Sequence, residues 1–213
     1  MVNQLRRFAG SRCLLGVAGV MGLAGVAHAG GFASVVIDPG HGGHDLGGHY
    51  GKVYEKHLAL DTAMRLEHYL RSSGYRTVMT RRSDKFISLP RRISMGNSHG
   101  NAIFVSIHYN YSWKRHVSGF ETFYHNSRSR PLAEYVHYAM LNRVRAADRG
   151  VKYARYYVLR NSRNPAVLVE GGFLSNSRER RRVMQGDFRD GVARGIAEGI
   201  ARYQSARRMG RVH

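Results

Sequence analysis

The chain has 213 residues, 43% of them hydrophobic, a length and balance that suit one globular domain with a full core. Its single cysteine rules out an internal disulfide framework. Against 14 Asp and Glu stand 34 Lys and Arg, a formal charge of +20 at pH 7 that points to anionic surroundings.

At the N-terminus, Arg6, Arg7 and Arg12 precede an apolar, glycine-broken run over 14–26, and Ala27-His28-Ala29 places small residues where an export protease reads. This pattern predicts a signal peptide over 1–29, cleaved after Ala29. The apolar run is shorter than the roughly 18 residues of a membrane-spanning helix. Residues 30–213 are then one expected globular domain, exported to a periplasmic or extracellular envelope. Subtracting the three leader arginines from +20 leaves it +17. Cys13 departs with the leader, so thiol catalysis and Cys-bound zinc are excluded, and any metal must use His and carboxylate. Basic charge usually suggests nucleic acid, but an exported protein seldom meets it, and no aromatic-basic interleaving is present. Anionic envelope polymers or phosphorylated lipids fit the charge better. A merely well-solvated surface is the alternative.

Beyond the leader the periodicity alternates. Residues 34–37 read as a buried strand. A helix follows over 54–71, with Ala59, Ala63, Leu66 and Leu70 on one face. Ser73-Gly74 stops it. A strand is expected over 76–80 and a short helix over 89–96, with Pro90 in its first turn. Strands over 102–107 and 119–124 precede a helix over 131–145 carrying Leu132, Val136, Met140 and Val144. Strands are expected over 156–159 and 166–169, separated by an Asn-Ser-Arg-Asn-Pro turn. A last helix spans 188–203, with Val192, Ile196 and Ile200 at four-residue steps. The alternation predicts an α/β fold: a single three-layer α/β/α domain with a largely parallel or mixed central sheet. No repeat, low-complexity tract or linker divides it.

Three polar residues fall just past expected strand ends: His41, His108 and Glu170. A fourth, Glu55, opens the first helix. In open α/β sheets the site lies beyond the carboxyl ends of the strands, so the four can converge. Two imidazoles and one carboxylate are a standard catalytic zinc set, with a second carboxylate free to move a proton. Each residue also has a duller explanation. Glu55 can complement the helix dipole, Glu170 can hold an arginine, and a histidine after a strand is often a hydrogen-bonded loop residue.

Val36-Ile37-Asp38-Pro39-Gly40-His41-Gly42-Gly43, then Asp45, Gly47 and Tyr54-Glu55-Lys56, resemble the opening of zinc-dependent N-acetylmuramoyl-L-alanine amidases of type 3. Ser106-Ile107-His108-Tyr109-Asn110 is similar to that family's second histidine motif, and Gly119-Phe120-Glu121-Thr122-Phe123-Tyr124 to its following strand. Arg149-Gly150-Val151-Lys152, Val158-Leu159-Arg160, and Pro165 through Asn176 resemble its closing signature. The likeness runs in order from about Ser34 to Tyr203. It implies one zinc ion held by His41, Glu55 and His108, with Glu170 as catalytic acid/base. The implied reaction is hydrolysis of the amide joining N-acetylmuramic acid to L-alanine in peptidoglycan. Tyr109 and Tyr111 depart from the small residues usual beside Asn110; they either narrow the cleft and stack on substrate or pack against the sheet. His44, His49 and His57 crowd the same region but are not expected to bind the metal. The short interval between His108 and Gly119 leaves no room for the blocking helix some relatives insert there. Two alternatives remain: zinc peptidase action on another amide of the peptidoglycan stem, and a non-catalytic wall-binding module.

Overall fold

The computed structural model describes residues 31–212. The expected signal peptide over 1–29 lies outside the described residues. Among those described, no helix is long and apolar enough to cross a membrane.

The elements run β1 (Ser34–Pro39), β2 (His49–Tyr50), β3 (Val53–Tyr54), α1 (Glu55–Ser72), β4 (Arg76–Met79), α2 (Leu89–Asn97) and β5 (Ala102–Asn110). Then follow β6 (Phe120–Tyr124), α3 (Arg130–Arg143), β7 (Asp148–Tyr153), α4 (Tyr157–Arg160), β8 (Ala166–Phe173), α5 (Ser177–Val183) and α6 (Gly186–Arg208). Six strands form one sheet in the order β4-β1-β5-β8-β6-β7, and β2 and β3 make a separate small hairpin. Every pairing in the large sheet is parallel except β6 with β8. The sheet is therefore mixed, mostly parallel, as the alternation predicted.

Successive side chains of a strand point to opposite faces, and the core divides accordingly. Val35 and Ile37 of β1 join Leu66 of α1, Val136 of α3 and Ile196 of α6 in one buried cluster. Val36 between them joins Phe104, Leu168, Ile93 of α2 and Leu159 of α4 on the other face. Helices thus cover both faces, which makes three layers. The α3–α6 pair packs closely because α6 offers glycine: a Cβ on Gly199 would stand 2.5 Å from the Val136 Cα.

One expected element is corrected. Residues 156–159 are not a strand; Tyr157–Arg160 form the single helical turn α4. Val158 and Leu159 are both buried on the same side of the sheet. A strand would turn adjacent residues to opposite faces, whereas one helical turn buries both together. The neighbouring segment Asp148–Tyr153 supplies the edge strand instead.

Candidate active site

His41 sits one residue past Gly40, where β1 has ended, and its backbone is left-handed, with φ +58°. That conformation is uncommon for a residue with a Cβ and must be held from outside. Two buried arginines hold it. Arg92 donates to the Asp38 carboxylate (2.8 Å) and to the carbonyls of Pro39 and His41 (2.6 Å each). Arg81 donates to the carbonyls of Pro39 (3.1 Å), Gly40 (2.6 Å) and Lys56 (2.8 Å). Burial, and then the Arg92 charge beside it, draw the Arg81 guanidinium down to about 10. Gly40 must be glycine, because a Cβ there would lie 2.3 Å from the His108 ring.

His41 Nδ1 donates to Asp45 Oδ2 at 2.9 Å, which leaves Nε2 facing Glu55 Oε1 at 3.1 Å. His108, on β5, brings Nδ1 to 2.8 Å from the same oxygen. The Glu55 carboxylate also accepts from the backbone N–H of Tyr109 (3.0 Å) and Gly48 (2.7 Å). Burial alone would raise the proton affinity of Glu55, but the hydrogen bonds and charges of the two histidines outweigh it and hold the carboxyl at about 2. For His41 burial likewise opposes charge, and Glu55 and Asp45 win, so its pKa is raised. One ligand atom from each of His41, Glu55 and His108 can be chosen so that all lie within 4.8 Å of one another, a possible metal site.

Glu170 is at the register position of His108 on the neighbouring strand β8 and lines the same cleft. It is 8% exposed, and its Oε2 has no hydrogen-bond partner. Burial first, then the charges of Glu55 and Glu121, push its pKa well above the ordinary carboxylate range. Glu121 pairs with Glu170 across the antiparallel β6–β8 ladder. It is held by Arg149 (2.9 Å), Lys152 (2.6 Å) and Asn110 (3.0 Å).

All four residues singled out in the sequence therefore meet in one cleft. His44 and His57 face other partners. His44 stacks on Phe86, its ring centroid 4.2 Å away, and His57 faces Asp84 at 3.4 Å. The two tyrosines divide. Tyr109 is fully buried, with its hydroxyl 2.6 Å from Thr62 Oγ1, whereas Tyr111 is 48% exposed on the cleft wall. Residues 111–119, which join β5 to β6, contain no helix. Sequence reasoning missed the roles of Arg81, Arg92 and Asp45. The available signal was Asp38: a carboxylate inside an apolar strand requires a buried cation.

The profile of the family described as N-acetylmuramoyl-L-alanine amidase matches residues 35–202. Among curated relatives, the amidase LytC of Bacillus subtilis (strain 168) is 34% identical over 80% of this chain and 35% of its own length. The amidase CwlM of Bacillus licheniformis is 37% identical over 79% of this chain and 67% of its own. This chain thus spans about a third of the first relative and two thirds of the second. Among solved structures, the catalytic domain of the amidase CwlV from Bacillus (Paenibacillus) polymyxa superposes with a TM-score of 0.78 at 38% identity, covering 81% of this chain and 98% of that one. An N-acetylmuramoyl-L-alanine amidase from Clostridium difficile 630 gives 0.80 at 34% identity, covering 83% and 98%.

Proposed function

This chain belongs to the N-acetylmuramoyl-L-alanine amidase family, and on that premise we propose that it is a cell-wall hydrolase that cuts the amide between N-acetylmuramic acid and L-alanine in peptidoglycan. The observation that carries the reading is the convergence of His41, Glu55 and His108 beside Glu170, whose buried Oε2 is without a partner. Two imidazoles and a carboxylate fit zinc, and the hydrogen bonds that Glu55 accepts keep that buried carboxylate anionic. Zinc held there supplies Lewis acidity toward the amide carbonyl and toward water.

The chain's own groups do the rest. Asp45 fixes the His41 ring so that Nε2 faces inward. Glu170 takes a proton from the attacking water and delivers it to the departing amine. Water's oxygen ends on the lactyl carbonyl as a new carboxylate, and the C–N bond breaks to leave a free L-alanine amino terminus. Residues 111–119 carry no blocking helix, so the cleft is open without an activator in this reading. Export through the segment 1–29 and attraction of the basic surface to anionic envelope polymers or lipids belong to the same proposal.

Mass spectrometry of products from purified sacculi tests it. Intact glycan strands and peptides beginning with free L-alanine are expected, and chelator should abolish their release. Cleavage at another stem amide would replace the reading with a peptidase; no cleavage, with zinc bound, would leave a binding module. Glu170→Gln should retain zinc and lose roughly 10²- to 10⁴-fold in turnover, whereas His41→Ala should lose zinc by elemental analysis.

A further inference from the structure

The chain has one tryptophan, and the fold leaves it 83% exposed at Trp113. It stands in the 111–119 connection, at the strand end that carries His108. Tyr111, two residues before Trp113 in the same connection, lines the cleft. The connection is a built loop. Tyr111 N–H donates to Asn110 Oδ1 (2.8 Å), Ser112 N–H to Ser175 Oγ (3.0 Å), Lys114 N–H to Ser112 Oγ (3.1 Å) and Val117 N–H to the Lys114 carbonyl (3.1 Å). Lys114 Nζ lies 4.9 Å from the indole centroid. Lys114, Arg115 and His116 are all exposed, and none of the three has a carboxylate partner among the described residues.

We propose that this loop is a second contact with polymeric substrate: Trp113 stacks on a sugar ring of the glycan strand outside the cleft, and Lys114 and Arg115 meet carboxylates of neighbouring stem peptides. This rests on the function proposed above. Sugar rings present apolar C–H faces that an aromatic ring covers well, while a neighbouring cation and hydroxyls satisfy its polar edge. The same exposed indole and cations would also suit an anionic bilayer. Position decides between them. The connection begins at Tyr111 on the cleft wall, so a loop driven into lipid would carry that wall toward the bilayer and away from the polymer it must reach. A glycan strand longer than the cleft extends beyond the wall that Tyr111 forms, within reach of the connection it opens.

Because Trp113 is the sole tryptophan, its emission reports this loop alone. The zinc-loaded protein is titrated with glycan strands stripped of peptides, which lack the scissile amide and give a binding signal without turnover. A saturable change in emission is expected. In parallel, Trp113→Ala should lower the ratio of kcat/KM on sacculi to that on a soluble disaccharide-peptide by roughly 2- to 10-fold, and Trp113→Phe should restore part of it. Emission that ignores glycan but responds to phosphatidylglycerol vesicles would overturn the proposal in favour of a membrane contact. An unchanged ratio in Trp113→Ala would overturn it outright. If the unmodified protein releases no L-alanine termini, the functional reading fails instead, and the emission titration still decides whether the loop binds glycan.

Discussion

Arg92→Met removes the guanidinium that ties the His41 loop to the sheet. Arg92 is buried on α2, and its four donor contacts go to Asp38, Pro39, His41 and, from Nε, to the Ile87 carbonyl at 2.9 Å. Three of the four fall on the segment 38–41. After the substitution Asp38 is a buried carboxylate served only by Thr80 Oγ1 (2.6 Å) and Ser106 Oγ (2.8 Å). Breaking a buried ion pair from one side costs about 3–5 kcal/mol, mostly because the other charge remains. Four charge-assisted bonds at about 1.5–3 kcal/mol each would exceed that, but they share one group and are not additive. Methionine fills most of the volume, so the expected loss is about 3–5 kcal/mol, read as a fall in urea midpoint of the zinc-free protein with unchanged m-value. The left-handed His41 backbone loses its restraint as well, and zinc affinity should fall by about tenfold or more in a competition titration. Adding Asp38→Asn removes the stranded charge and should recover part of the stability. A loss below about 1 kcal/mol, or a double variant as unstable as the two single losses summed, would refute the argument.

Asp45→Asn keeps the shape but weakens the acceptor that fixes the His41 ring; zinc affinity should drop roughly 10- to 100-fold, and an unchanged value by chelator competition would make Asp45 a bystander. Gly40→Ala should reduce zinc binding by displacing the His108 ring, because its Cβ would stand 2.3 Å from Cε1. Gly100→Ala, whose Cβ would meet nothing within 4 Å, is the matched control; equal effects of the two substitutions on zinc binding would remove the steric explanation.

Much of this site is legible in one dimension because its polar residues break or flank regular apolar patterns, although His108 and Glu170 lie inside β5 and β8 rather than past their ends. His108 ends a run of buried β-branched and aromatic residues, Glu170 ends another, and Glu55 opens an amphipathic helix. Periodicity locates such points without knowledge of the fold. What supports the site is less visible. Arg81 and Arg92 bond to carbonyls some 40 to 50 residues away in sequence, and a carbonyl leaves no mark in the sequence. Strand direction is equally silent: nothing in Phe120–Tyr124 says that β6 runs against β8, yet that reversal brings Glu121 beside Glu170. The β2–β3 hairpin escaped notice because each strand has two residues, too few for any period to show. At Tyr157–Arg160, four residues containing Val and Leu satisfy a strand pattern and a helical one equally.

The two carboxylates at the heart of the cleft show how one side-chain chemistry is divided into two roles. Glu55 and Glu170 are both buried, and burial raises the proton affinity of each. Glu55 then receives two imidazoles and two backbone N–H groups, enough to reverse the effect and leave it an anion fit to ligate a cation. Glu170 receives nothing at Oε2 and faces two like charges, so its proton affinity stays high. A cation at the three ligands would neutralise the contribution of Glu55 and itself favour the Glu170 anion, so that this carboxylate can take a proton from water and hold it until the amine departs. Environments that push two similar groups apart in this way are how acid/base assignments are made in hydrolytic sites. In the proposed mechanism the same separation gives Glu55 to the metal and Glu170 to the proton.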